Sequence, residues 1–480
     1  MPRSQSYQKT GKRENIQQRT TTWLIVPSLI LLWSSSLSLS AIAQSPQPAP
    51  DLQPGTTQLA PDLQPGTTQP APDRQPGSTK PSAKPKPTEK QEQPDAFPPN
   101  PLDLREPDPL LPTTTSKRPL TAAEKKQLGV ALDALNLQAA AKMKASDRIG
   151  ALELWNREMR LRRALGALEE TKALGRFGDA AWKDNNTPQV RWITDRLDKL
   201  LERSQSTKPL EPEYVGTITV EPTTDRGALL EALGLAYQQV RQPQTAIGIY
   251  QQILTDAKKQ NDAVKVESTL ITLGQLHLSW FDYPNAATTY QELLAIARAK
   301  HDQTNEILYL NQLAFIYEQA KEPKSAIAYQ QQLVALYEKI NDPKPIPGLK
   351  LKIADNYQRL SQLNLAEQNY QSAYQLAQTL LQLGYASDAL QKLGLLYRAN
   401  NRLPAAVRVY SFLVAVEQQA YNYYGIMSAY DQLGQIYITL KAYPQALKAF
   451  QQGLLVARQL KYRETYFSTQ IQQVAKLSGK

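Results

Sequence analysis

Between residues 226 and 260 the apolar positions fall three and four apart, stop, and resume. Leu230, Leu233 and Tyr237 make the first run; Ala246, Ile249, Tyr250 and Ile253 make the second, with Pro243 between them. That spacing puts side chains on one face of a helix. Proline lacks an amide hydrogen and clashes inside a helix, but it fits a helix's first turn. The pattern therefore predicts a helix, a short turn and a second helix. Prolines mark the same joint at Pro284, Pro323, Pro404 and Pro444.

The phrase recurs every 40 residues. Small residues stand at Gly234, Gly274, Ala314, Ala354, Gly394 and Gly434. Three places on comes Tyr237, His277, Tyr317, Tyr357, Tyr397 or Tyr437; twelve on comes Ala246, Ala286, Ala326, Ala366, Ala406 or Ala446. Sixteen on comes Tyr250, Tyr290, Tyr370, Tyr410 or Phe450, the third copy having Gln330 there and Tyr329 one place early. Small residues let two helices approach, and the first ring fills the space beside their crossing. The ring at sixteen is expected to reach the next hairpin. One hairpin cannot bury its apolar face alone, so the copies must stack.

These offsets resemble those of the tetratricopeptide repeat family. The family's usual period is 34 residues; the longer period here is similar to that of kinesin light chains and some bacterial regulators. The extra length is expected at the end of the second helix and in the loop after it, marked by Asn261-Asp262, His301-Asp302 and Asn341-Asp342. The resemblance implies an all-α, right-handed solenoid whose first helices line a concave groove for a protein or peptide segment. Groove positions carried over from the family are Glu231, Leu235, Gln238 and Gln239, then Ile271, Gln275 and Leu278, then Asn311, Phe315, Glu318 and Gln319. Further along they are Leu351, Asp355, Gln358 and Arg359, then Gln391, Leu395 and Arg398, then Asp431, Gln435 and Ile438. The amide-rich mixture suits an extended backbone. The lysine, arginine and asparagine clamp of the chaperone-binding subset is absent. The chain is also similar to exported tetratricopeptide proteins of cyanobacterial type, which implies a scaffold that assists an envelope complex.

Polar and apolar patterning divides the rest. Residues 1–43 read as an export signal: a basic start, an apolar stretch from Trp23 to Trp33, and Ala41-Ile42-Ala43 as a small-residue cleavage site. An uncleaved anchor is the competing reading, because Trp23 to Ala43 is just long enough to span a bilayer. Either reading places the repeats outside the cytoplasm, in the periplasm or an equivalent compartment. Residues 44–119 read as a proline-rich disordered linker, with an 11-residue period at Asp51, Asp62 and Asp73. Residues 120–204 read as a degenerate repeat-like cap of two hairpins, in which the run Arg157 to Arg163 is expected on a solvated face. Residues 205–224 alternate weakly like a strand but offer no strand partner, so an extended insertion in or near the groove is expected. Residues 225–461 hold the six repeats, and 462–480 a closing helix with Phe467, Ile471, Val474 and Leu477 on one side.

Composition narrows the chemistry. The 480 residues carry net charge +11 and no cysteine, which excludes disulfides, thiol catalysis and thiolate metal sites. Two histidines are too few for an imidazole cluster; His277 falls at a core position and His301 in a loop. Basic residues are dispersed rather than gathered into a nucleic-acid surface. No dinucleotide, phosphate-loop, nucleophile-elbow or zinc-protease motif occurs, so neither an enzyme nor a cofactor is indicated. A second functional reading is a metal-delivering assembly factor with Glu231, Asp355, Asp388 and Asp431 as oxygen ligands. Tyr421, Tyr423, Tyr424 and Tyr430 exceed what the repeat pattern needs and mark a possible contact patch.

Overall fold

The computed structural model describes residues 100–103, 108–112, 116–206, 211–222 and 225–479, all within the unit Glu92–Lys480. The export-signal reading and most of the linker lie outside the described residues. Four helices come first: α1 (Ala122–Lys144), α2 (Arg148–Arg162), α3 (Ala167–Lys183) and α4 (Thr187–Gln205). A short hairpin follows, β1 (Glu213–Val215) and β2 (Ile218–Val220). Then come six helical hairpins: α5 (Arg226–Gln239) with α6 (Pro243–Lys259), α7 (Ala263–Ser279) with α8 (Tyr283–Ala299), and α9 (Gln303–Gln319) with α10 (Pro323–Lys339). The remaining three are α11 (Ile346–Arg359) with α12 (Leu363–Thr379), α13 (Leu383–Ala399) with α14 (Leu403–Gln419), and α15 (Tyr423–Thr439) with α16 (Tyr443–Leu460), before the closing α17 (Glu464–Leu477). From α5 on, each helix packs on the next, which makes the array an α-solenoid.

The 40-residue period is two near-equal halves. One non-glycine residue with positive φ stands in every turn: Arg241, Asn261, Phe281, His301, and so on at 20-residue steps to Lys461. At the first such turn Gln242 N–H donates to Tyr237 O at 2.8 Å and Arg241 N–H to Gln238 O at 3.1 Å. This pairing satisfies the last carbonyls of a helix and requires a left-handed residue. The loops after second helices are therefore no longer than those within hairpins, and the added residues lie in the helices. Asp262, Asp282 and Asp302 each accept an amide from the first turn of the helix that follows. Pro343 and Pro345 interrupt this rule, and α11 starts late, at Ile346.

Left-handed backbone is unfavourable for most side chains, and Leu381 there is 82% exposed, so it gains nothing from packing. Leu381→Asn is expected to raise stability by up to about 1 kcal/mol, read as a later midpoint in urea denaturation.

The small residues owe their size to the rings at sixteen. A β-carbon added at Gly234 or Gly274 would lie 2.9 Å from the ring of Tyr250 or Tyr290. At Gly394 and Gly434 the distances to Tyr410 and Phe450 would be 2.7 Å and 2.5 Å. Each ring thus fills a notch in its own hairpin, and reaching the next hairpin is secondary, as where Tyr290 meets Tyr309 at 6.1 Å. In the third copy the site holds a fully buried Gln330, which donates to Glu318 and accepts from Asn356, and the small residue opposite is Ala314.

The first block joins the array differently. α3 lies directly against α5, because Gly175 and Gly178 leave room for Ala236 and Val240. The stretch expected to be extended and unpaired folds back on itself: β1 and β2 are antiparallel, with Tyr214 opposite Thr219, and Arg118 forms a bridge to Ile218. Val215 and Ile218 are buried among Leu120, Leu128, Leu132 and Leu161. The hairpin therefore buttresses α1 and α2; the partner missing from the sequence reading was the same stretch reversed at Gly216, whose φ is +62°.

The arginine run is not a solvated face. Arg157 pairs with Asp108 at 2.7 Å, Arg160 donates to Pro101 O at 2.6 Å, and Arg162 is buried against Glu158 at 3.0 Å. Burial pushes the Glu158 carboxyl up, opposed by Arg162 and Arg176. At the other end α17 buries Phe467 and Val474 and leaves Glu464, Thr465, Gln472, Gln473 and Lys476 exposed; Leu477, expected on the apolar side, is exposed too, because the helix ends there. A polar outer surface is what a terminal repeat needs.

Candidate functional site

The inner-face residues are set by helix periodicity. Leu233 and Gly234 face the core, so the next residue, Leu235, faces out. Glu231, Leu235, Gln275, Asn311, Phe315, Gln319, Gln358, Arg359, Gln391 and Leu395 are exposed. Gln238, Gln239, Ile271, Leu278, Glu318, Asp355, Arg398, Gln435 and Ile438 are half-buried. Two expected groove positions are buried: Leu351 lies in the core, and Asp431 is 8% exposed. Asp431 accepts Tyr466 Oη at 2.8 Å and an Arg463 N–H at 3.3 Å, so it anchors the closing helix rather than facing a ligand.

Many of the polar groups are already committed. Glu231 pairs with Lys265, and Asp355 accepts Lys392 Nζ on both oxygens at 3.0 Å and Tyr370 Oη at 2.5 Å. Gln238 donates to Tyr250 Oη at 3.0 Å, Asn311 to Ile307 O of its own helix at 2.8 Å, and Gln435 to Gln470 at 3.1 Å. Arg398 donates to Gln432. Gln275 and Gln391 are exposed and carry no such bond. Burial, with Glu231 adding to it, pushes the Tyr250 phenol up to about 12. Burial and then Asp355 push Tyr370 up as well, so both phenols stay neutral, Tyr370 donating to Asp355 and Tyr250 accepting from Gln238.

The carboxylates of the metal-delivery reading are not brought together. Glu231, Asp355 and Asp431 each have their own cation, and Asp388 stands alone and exposed on α13. Among the described residues no group of three His, Cys, Asp or Glu side chains is placed to hold a metal ion. His277 is buried, its Nδ1 2.9 Å from Asp282, as a core histidine should be.

Two concavities are present among the described residues. One of about 490 Å³ lies where α3 meets the array, lined by Leu168, Lys172, Glu231, Leu235, Ile253 and Lys265 among others. The sequence carried no sign of it, because α3 stands outside the 40-residue register. The other, of about 350 Å³, gathers part of the tyrosine cluster: Tyr421, Tyr423 and Tyr430 with Ile426 and Leu455. Tyr424 packs instead on Tyr462, edge to face at 5.9 Å. No described helix is long and apolar enough to cross a membrane.

Residues 229–264 and 307–345 each match a family model described as tetratricopeptide repeat. Among solved structures, BtubC from P. vanneervenii is 16% identical, over 46% of this chain and 92% of that one, with a TM-score of 0.33. A signal-transduction ATPase with a tetratricopeptide repeat sensor, from Pyrococcus horikoshii, is 14% identical over 75% of this chain and 50% of its own, with a TM-score of 0.37. A putative kinesin light chain with nearly identical repeats, from Podosopora anserina, is 15% identical over 48% and 94%, with a TM-score of 0.26. No curated protein matches the chain.

Proposed function

The chain belongs to the tetratricopeptide repeat family, and on that premise we propose that it is an exported adaptor holding an extended segment of a protein partner along its first-helix face, in support of an envelope complex. The observation that carries the binding reading is the row of part-exposed apolar side chains there: Leu235, Phe315 and Leu395 are 48%, 47% and 50% exposed. A solvent-facing row of this kind in register with the repeat is unexplained by packing. The export half rests on the basic and apolar composition of residues 1–43. The fold is characteristic of binding scaffolds, and the absence of an enzyme motif agrees with that role.

The test is retention of envelope proteins on the immobilised full chain. Phe315→Arg should reduce recovery of a specific partner about tenfold, the ratio for loss of one 1.4 kcal/mol contact. Phe412→Arg, on an exposed residue of second helix α14, should leave it unchanged. Equal recovery on all three chains would move the site away from this face.

A further inference from the structure

The row of apolar residues alternates. One place after each small residue stand Leu235, Gln275, Phe315, Asp355, Leu395 and Gln435, so every second repeat offers an apolar anchor and the repeats between offer polar side chains. Charge is also uneven. Lys352 and Arg359 of α11 are exposed, form no ion pair, and share a face with Asp355 at spacings of three and four. Their counterparts in the other repeats are Ala232, Thr272, Gln312, Lys392 and Gln432, and Gln239, Ser279, Gln319, Ala399 and Thr439. Arg398, on the next first helix, meets an amide instead of a carboxylate. Asp355 is already held by Lys392, which leaves Asp388 as the one exposed, unpaired acid on α11 and α13. Repeats four and five thus present a basic excess between the second and third anchors.

Resting on the reading above, we propose that the ligand is an extended segment with apolar side chains seated at Leu235, Phe315 and Leu395 and carboxylates opposite Lys352 and Arg359. Successive first helices are about 10 Å apart if one helix diameter separates them. Anchors two repeats apart are then about 20 Å apart, or about six residues of extended chain. An even number returns the side chains to the same side of the strand, so one edge of the ligand meets all three anchors. The polar residues between them are left to bond its backbone.

The probes are labelled synthetic peptides with three leucines about six residues apart and aspartates between the second and third, in forward and reversed order. A matched pair carries lysine for aspartate, and a control has the leucines scrambled. One aspartate peptide should bind the full chain, with its lysine counterpart at least about tenfold weaker and the scrambled control weaker still. In Lys352→Glu/Arg359→Glu the order of the aspartate and lysine peptides should invert, which a merely structural role for these exposed residues would not produce. An unchanged order, or no binding by either aspartate peptide, overturns the proposal. If the partner is still lost on Phe315→Arg, the first-helix face survives as the site and only this ligand class is wrong. If Phe315→Arg also leaves recovery unchanged, the underlying reading falls with it.

Discussion

Glu170→Ala is expected to lower stability by about 3–5 kcal/mol, the range for removing one partner of a buried ion pair. Glu170 is 2% exposed on α3 and holds two guanidinium groups. Arg163 Nε reaches Oε1 at 2.8 Å; Arg196 grips both oxygens, at 2.6 Å and 2.8 Å. Burial pulls the Arg196 guanidinium down, but the bonds to Glu170 and Glu213 leave it above its ordinary value, so it stays charged. Removing the carboxylate leaves Arg163 without its acid and Arg196 with Glu213 of β1 alone. The effect should be local. Contacts between repeats are near-neighbour, so the first block should melt ahead of the array and split the urea transition in two. Glu170→Gln, which keeps an acceptor, should cost less. A single transition with a loss under about 1 kcal/mol would mean that water replaces the pair.

Phe450→Ala should cost about 3–5 kcal/mol, as for other buried rings cut to alanine. Phe450 is fully buried, covers Gly434, and meets Phe467 of the closing helix at 6.4 Å. The more telling measurement is a double-mutant cycle. Gly434→Ala alone forces a β-carbon to within 2.5 Å of the ring and should cost about 1–3 kcal/mol through overpacking. With the ring removed, the same change should be neutral or favourable by up to about 1 kcal/mol, because alanine is the better helix former. The third copy already pairs Ala314 with the ringless Gln330. The fourth keeps both Ala354 and Tyr370, whose hydroxyl is drawn to Asp355. Additive effects at 434 and 450 would show that the glycine is small for another reason.

Helix type, period and hairpin pairing were legible because each is written in local spacing. Pro243, Gly234 and Tyr250 encode a turn, a notch and its filler within one hairpin, and repetition averages out exceptions such as His277 and Gln330. The first block was less legible. The charges of Arg157, Arg160, Arg162 and Arg163 suggest solvent, yet Arg157, Arg160 and Arg163 meet Asp108, Pro101 and Glu170 outside their own segment, and Arg162 reaches Asp133 of α1 as well as Glu158 of its own helix. The inner face was half legible: Leu235, Phe315 and Leu395 were carried over from the family resemblance and are exposed, whereas Asp431 is covered by a helix that starts more than thirty residues later.

The sequence by itself determined that this chain is an array of paired helices, since a helix and its turn are decided by interactions within a few residues. Tertiary structure alone decided which charges are buried, where α3 docks, that residues 213–220 form a hairpin, and which polar groups of the inner face remain free. Those outcomes depend on groups far apart in the chain, whose pairing no local period can specify.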